Sequence, residues 1–389
     1  MLAATVRVTR DLDEAEEAVQ DAYLQALKRW AADGIPDRPG AWLTTVARRT
    51  ALNGVRHREV LRRKLPLLVE PDVAEPPEPA GPIPDDRLRL VFTCCHPALA
   101  QEAQIALTLR LVCGVATADI AHAFLVPEPT MAARLTRAKK KIAAASIPYA
   151  VPAAEDLPAR VSVVLTVLHL LYAAGHTAPS GDDLVRDELT GRALDLARML
   201  RALLPADTEV AGLLALLLVQ QARRATRTDA AGRLLRLEDQ DRTRWDTAMI
   251  AEADRLVVEA LENGPPGRFG VQAAIAALHA QAPSYGETDW PQILTLYDVL
   301  LRLWPSPVVA LNRAVALAVV AGPEAALAEI ARLEADGRLA GYRYLPATKA
   351  DLLHRLGRDA EAADAYRAAL ALSENAVEQE FLAARLSGA

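Results

Sequence analysis

Cysteine is nearly missing: three of 389 residues, too few for the disulfide framework that staples small secreted domains, so a reducing, cytoplasmic setting is expected. Aromatic residues reach only 4%. The longest apolar stretch, Val161–Gly175, is interrupted by Thr166 and His169 and is too short to span a bilayer, so no membrane association is expected. The opening MLAATVRVTRDLDE has no basic segment followed by an apolar run, which excludes a secretory signal in that stretch. The motifs GxxxxGK[ST], GxGxxG and GxSxG do not occur; nucleotide hydrolysis and acyl chemistry lack their usual parts, and no enzyme and no cofactor are indicated. Cys94, Cys95 and His96, with Cys113 and His122 further on, could suggest zinc. Adjacent cysteines on a helix diverge by about 100°, however, and no CxxC pair exists, so buried core thiols are expected instead.

What the chain does have is helix-forming bulk. Hydrophobic residues make up 52% and charged residues 24%, and the abundance of Ala and Leu predicts an all-α protein of two or three domains. The formal net charge of −6 is unevenly spread. Residues 1–150 carry 20 Lys and Arg against 18 Asp and Glu, whereas the remainder carries 24 against 32. Basic residues in the first part are clumped at Arg48, Arg49, Arg56, Arg58, Arg62, Arg63 and Lys64, and again at Arg134, Arg137, Lys139, Lys140 and Lys141. Two basic clusters in an acidic protein suggest two contacts with a polyanion, although a solvated helix face would look the same from charge alone.

Periodicity places these clusters. Glu14–Trp30 reads as an amphipathic helix with Ala15, Ala18, Val19, Ala22, Tyr23, Ala26, Leu27 and Trp30 on its apolar stripe, Glu16, Glu17 and Asp21 off it, and an Asp11–Glu14 capping box at its start. AADGIPDRPG reads as a loop. A second helix, about Trp42–Arg58, puts Leu43, Val46, Ala47, Thr50 and Gly54 on one face and Thr45, Arg49, Asn53 and Arg56 on the other, with Arg48 beside them. Residues 66–84 hold seven prolines, four acids and no basic residue, the composition of an extended, semi-stiff linker. Beyond it Gly114 ends one helix, Thr117 starts the short ADIAHAF, and after LVPEP comes Thr130–Ile142. In this last helix Met131, Leu135, Ala138 and Ile142 face inward, while Ala133, Thr136, Arg137 and Lys140 face out, as in a helix-turn-helix. From about Leu157 the chain is helical and weakly repetitive. Ile293, Ala326 and Ala362 align at spacings of 33 and 36, near the tetratricopeptide period of about 34, with Gly357, Tyr366 and Ala369 at further repeat positions. Glu238, Asp239 and Asp241 near Arg223, Arg224 and Arg227 could form a ligand pocket, but an internal salt-bridge network is the stronger expectation.

DLDEAEEAVQDAYLQALKRW followed by RPGAWLTTVARRTALNGVRHR resembles region 2 of extracytoplasmic-function sigma factors, and TADIAHAFLVPEPTMAARLTRAKKKI resembles their region 4. The remainder resembles the subgroup with a fused helical, tetratricopeptide-like extension. The resemblance implies a region 2 domain over 1–65 with a shortened first helix, a linker over 66–84, region 4 over 85–148, a helical extension over 155–285 and repeats over 286–389. It implies core RNA polymerase as partner through Glu16, Glu17 and Asp21. It further implies promoter DNA as partner, at the −10 element through Thr45, Arg48, Arg49, Asn53 and Arg56, and at the −35 element through Thr130, Arg134 and Arg137, with Lys139, Lys140 and Lys141 on phosphate. Trp42 could stack on a base or belong to the core. Ala132 and Ala133 depart from the polar residues that many relatives use for base readout. The C-terminal repeats imply a further protein partner or ligand. Two other readings stay open: a polymerase-independent helix-turn-helix regulator, and a tetratricopeptide scaffold.

Overall fold

The computed structural model describes residues 1–64, 86–124, 126–153, 155–178 and 180–388, with the side chains of 32, 57–64, 122–123 and 158–159 outside that description. The proline-rich segment 66–84 therefore lies outside the described residues. Among these residues the fold is all-α, with eighteen α-helices and two strands of two residues each. It divides into two compact units, Met1–Val167 and Leu168–Ala389.

The first unit opens with α1 (Leu2–Thr9), α2 (Leu12–Asp33) and α3 (Pro39–Lys64), which pack on one another. Asp11 caps α2 by accepting from the Glu14 N–H at 2.9 Å. The Asp11 N–H donates to Thr9 Oγ1 at 3.2 Å. The buried side of α2 is built mainly from small residues, Ala15, Ala18, Ala22 and Ala26, which let α3 approach closely. Leu43, Ala47 and Ala51 are the buried positions of α3. Gly54, expected inward, is exposed; the inward row runs through Ala51, one turn after Ala47, and passes it by. Trp42 is half-buried against Trp30, ring centroids 5.5 Å apart, which makes it part of the core.

Four helices follow: α4 (Asp86–Cys94), α5 (Gln101–Leu111), α6 (Thr117–Ala123) and α7 (Glu128–Ala144). Gly114, at φ 70°, takes the left-handed conformation that ends the α5 segment. Met131, Leu135, Ala138 and Ile142 are the buried residues of α7. All three cysteines are buried, and none is in a disulfide. Burial pushes the Cys95 thiol up to about 12, with the Thr108 hydroxyl and Arg160 opposing, so these are inert core thiols.

α8 (Leu157–His176) contains the division between the units. In the second unit, α9 (Asp187–Leu203), α11 (Thr247–Glu262) and α12 (Arg268–Gln281) surround α10 (Thr208–Ala222). From Val210 to Val219 every residue of α10 is buried, as expected of a helix that is apolar all round. A Cβ on Gly212 would stand 2.4 Å from the Gly270 backbone nitrogen, so the α10–α12 crossing requires glycine there. Between α10 and α11 run three 3-10 turns, Arg224–Thr226, Leu237–Asp239 and Arg242–Arg244.

Six more helices stack in sequence: α13 (Trp290–Leu303), α14 (Pro307–Val320), α15 (Pro323–Asp336), α16 (Tyr344–Arg355), α17 (Asp359–Leu372) and α18 (Ala376–Ser387). Ile293, Ala326 and Ala362, the repeat anchors read from sequence, are each the fourth residue of their helix and each fully buried. A short parallel bridge joins β1 (Ser180–Gly181) to β2 (Glu374–Asn375). Asn375 caps α18 through Val377 and Glu378 while its Nδ2 donates to the Asp183 carbonyl at 2.9 Å. The last helix is thereby tied to the beginning of its own unit.

Candidate nucleic-acid interface

Thr45, Arg48, Arg49, Asn53 and Arg56 are all exposed and share one face of α3. Positions i, i+3, i+4, i+8 and i+11 fall within one helical stripe. Thr45 Oγ1 donates back to the Ala41 carbonyl at 2.9 Å. The three arginines carry no ion pair among the described residues, so their guanidinium groups face solvent as a row of cationic forks, the geometry suited to phosphate oxygens.

The second basic surface lies on α7. α6 and α7 pack together as a helix-turn-helix, and Pro127 and Pro129 set the start of α7. Thr130, Arg137, Lys140 and Lys141 are exposed, whereas Arg134 and Lys139 are half-buried. Arg134 reaches over the Phe124 ring, 5.9 Å from its centroid, and Arg137 Nε donates to the Ala133 carbonyl at 3.3 Å. The side chain at 133 is a methyl group on the exposed face, and Thr130, Arg134, Thr136 and Arg137 are the polar side chains near it on α7.

Lys139 is placed differently from its neighbours. Its ammonium stands 2.6 Å from Asp13 Oδ1 and 2.7 Å from Glu16 Oε2. Burial works against its charge, but the two carboxylates outweigh burial and hold its pKa above the usual lysine value. A residue expected on DNA phosphate and one expected on polymerase are thus brought into contact with each other. Tyr149 reinforces the arrangement, its hydroxyl lying 2.9 Å from the Ala3 carbonyl and 2.6 Å from the Asp86 carbonyl. Glu17 is exposed and Asp21 half-buried, both on α2.

Sequence reasoning missed one surface. Tyr23, Leu24 and Leu27 were expected to pack or went unremarked, yet all three are exposed, Leu27 at 72%. Burial of α2 is carried by its alanines, and its large apolar residues form an outward ridge beside the acids. The signal was present in the segregation of small from large residues around the wheel. An exposed apolar ridge rimmed by charge marks an interaction surface.

The other anticipated constellations separate. Among the described residues no group of three His, Cys, Asp or Glu is placed to hold a metal ion. The expected network of Glu238, Asp239 and Asp241 with Arg223, Arg224 and Arg227 does not form. Glu238 and Asp239 pair with Arg236 at 2.7 and 3.1 Å, Asp241 caps Thr243, and Arg224 pairs with Asp187 at 2.7 Å. The turns between α10 and α11 point these groups to different neighbours.

Comparison with known proteins agrees with this geometry. Residues 2–60 match the model for Sigma-70 region 2, and residues 89–142 match that for Sigma-70, region 4. Residues 160–261 match a family of unknown function (DUF6596). The uncharacterized protein R00370 of Rhizobium meliloti (strain 1021) is 44% identical over 392 residues, covering 99% of this chain and 92% of that protein. No solved structure matches. The chain belongs to the sigma-70 family, as an extracytoplasmic-function-like sigma factor with a C-terminal extension. Its role is in promoter recognition. No helix among the described residues is long and apolar enough to cross a membrane.

Proposed function

We propose that the protein binds core RNA polymerase through the acidic side of α2 and its Tyr23–Leu24–Leu27 ridge. In this reading it directs the enzyme to promoters by engaging the −10 element with α3 and the −35 element with α7. The observation that carries it is the pair of exposed basic helix faces on two separate sigma modules, one of them beside an acidic and apolar ridge. At −10, Arg48, Arg49 and Arg56 hold phosphate while Asn53 and Thr45 approach bases. Flipping a base out costs a few kcal/mol, and such contacts offset that cost. At −35, Arg134 and Arg137 read the major groove and Lys140 and Lys141 hold phosphate. Lys139 joins them only after leaving Asp13 and Glu16, so the arrangement described above is a resting one that polymerase and promoter must open. The protein acts by binding rather than catalysis, in the cytoplasm. Residues 1–65 and 85–148 serve as regions 2 and 4 around the linker 66–84, and 155–285 and 286–389 as the extension and its tetratricopeptide-like repeats, which dock a protein or ligand.

Run-off transcription with purified core polymerase, on DNA from upstream of the protein's own gene, tests this. A discrete transcript that requires both protein and polymerase is expected. Sequence-specific promoter retention by the free protein, with no transcript when core is added, would overturn it.

A further inference from the structure

The second unit holds three half-buried arginines, Arg223, Arg227 and Arg242, that form no ion pair among the described residues. Arg223 and Arg242 lie over the same indole, with guanidinium carbons 5.2 and 4.7 Å from the Trp245 ring centroid. Trp245 is itself fixed, its Nε1 donating to Thr226 Oγ1 at 2.9 Å. Arg242 Nη1 donates to the carbonyls of His279 and Ala282 at 2.5 and 2.8 Å. Arg227, one helical turn after Arg223, donates to the His176 carbonyl and, at 2.9 Å, to Thr177 Oγ1.

Carbonyls and hydroxyls satisfy some of these N–H groups but neutralise none of the charge. Arg223 Nε, Arg242 Nη2 and His279 Nδ1 are buried with no hydrogen-bond partner. The acids that sequence reasoning assigned to this cluster are all held elsewhere, as described above. Glu378, the carboxylate that Arg227 senses, is held at 2.7 Å by Arg343 and at 2.5 Å by the Tyr344 hydroxyl.

The histidines report the same field. Burial, then Arg227 and Arg223, lower His176 to about 3. Burial, then Arg223 and Arg242, lower His279 to about 4. Both rings are therefore neutral near pH 7 and add no charge, while His279 Nδ1 remains able to share a proton with a ligand. Contact with Trp245 favours the Arg223 and Arg242 guanidiniums, but by less than shielding an uncompensated ion from water costs.

We propose that Arg223 and Arg242, over the Trp245 ring, together with Arg227 beside Arg223, form a binding site for a small phosphate-bearing anion. Three guanidiniums match the charge of about −2 and the three free oxygens of a phosphomonoester, whereas a single carboxylate needs only one fork. Such an anion takes the unpartnered N–H groups of Arg223 and Arg242. It also draws together the end of α10, the turns that follow it and the end of α12, making the extension responsive to a soluble metabolite.

The test uses the full chain without polymerase or DNA, so its outcome is independent of the sigma reading. Inorganic phosphate is titrated at constant ionic strength against sodium chloride, with succinate as the carboxylate arm, and Tm is followed. A saturable rise of about 3–5 °C at tenfold Kd is expected with phosphate and not with succinate. Arg223→Gln should abolish the rise and leave the phosphate-free Tm equal to or above that of the native protein, because an uncompensated cation has gone. Arg198→Gln, at an exposed pair with Glu252, should retain the rise. Arg223→Lys, which keeps charge but loses the fork, should weaken binding about tenfold. Absence of a saturable rise, an equal rise with succinate, or a rise preserved in both Arg223 variants would overturn the proposal. So would an Arg223→Gln protein whose phosphate-free Tm falls, since that is the signature of a purely structural arginine.

Discussion

The contact of Lys139 with Asp13 and Glu16 gives the most direct handle on the resting state. Lys139→Met keeps the aliphatic stem and removes the charge. The side chains of Lys139 and Glu16 are only 20% and 23% exposed, whereas Asp13 is 66% exposed. Screening reduces the Asp13 pair to about 0.2–1 kcal/mol. The shielded Glu16 pair is a charge-assisted hydrogen bond worth about 1.5–3 kcal/mol. Together, after the side-chain order they require, about 2 kcal/mol is at stake, roughly a thirtyfold change in the ratio of closed to open forms. Closure is not abolished, because Tyr149 still holds Ala3 and Asp86 and α1 still packs on α4.

A distance measurement reads this without polymerase or DNA. Spin labels on Lys28→Cys in α2 and Thr136→Cys in α7 sit on exposed positions, and the native thiols are buried and so react slowly. The native protein should give a dominant short distance. Lys139→Met should move population to longer distances by about the factor above, and Glu16→Gln should do so to a smaller extent. A distance distribution for Lys139→Met that superimposes on the native one would refute the reasoning, as would a native distribution already dominated by long distances.

Four further outcomes follow from the same geometry. Arg137→Ala should weaken −35 binding by roughly 1–3 kcal/mol and relax choice at one promoter position, whereas Lys140→Ala should weaken all promoters alike; binding across a promoter library separates the two. Gly212→Ala should cost about 1–3 kcal/mol or more in urea unfolding of the second unit, since its methyl meets backbone of α12 at 2.4 Å. His169, His176 and His279 are lowered to about 4, 3 and 4, first of all by burial. Unfolding raises each towards 6.5, so their contribution is fully present above pH 6.5 and is lost as pH falls through 6.5 towards 4; urea midpoints should drop between pH 7 and 5, and His279→Gln should shallow that slope. A chain cut at residue 155 should be less stable than one cut at 167, because it loses Arg160, which donates to the Phe92 carbonyl at 3.2 Å, and the buried Val161, Val164 and Leu165 of the first unit; thermal unfolding of the two fragments compares them.

Legibility in the sequence followed the range of the interaction. The inward row of α7, the Asp11 cap, the stop at Gly114 and the inward placing of Ile293, Ala326 and Ala362 all rest on neighbours within one or two helical turns, where spacing alone decides the outcome. The outward ridge of Tyr23, Leu24 and Leu27 was misread because a hydrophobic stripe was taken as core, when the alanines beside it already filled the narrow space against α3. Lys139 and Glu16 lie 123 residues apart, and no local pattern pairs them. Arg223 and Arg227 flank one turn and were matched to acids nearby in sequence, which the turns direct elsewhere, while Arg242 comes from a later turn and went unremarked.

Charge clumping carries an incomplete message. A basic run on a helix says where anion affinity resides, and an acidic run says where cation affinity resides, but neither says which anion or cation occupies it at rest. Polyanion-binding and polymerase-binding faces have opposite sign, so in one chain each is the other's nearest complementary partner. Lys139 and Glu16 do meet, and on the proposed function that meeting imposes a condition: promoter phosphate would have to replace two carboxylates at Lys139, and polymerase an ammonium at Glu16. Either exchange alone leaves a half-buried charge unpaired, which is costly, whereas both together leave none. Polymerase and promoter should therefore bind with positive coupling through this one lysine, and Lys139→Met should reduce that coupling while raising the affinity of the free protein for core polymerase. Measuring core affinity with and without promoter DNA, in both proteins, closes the thermodynamic cycle; equal coupling in the two would show that the ion pair is incidental to assembly.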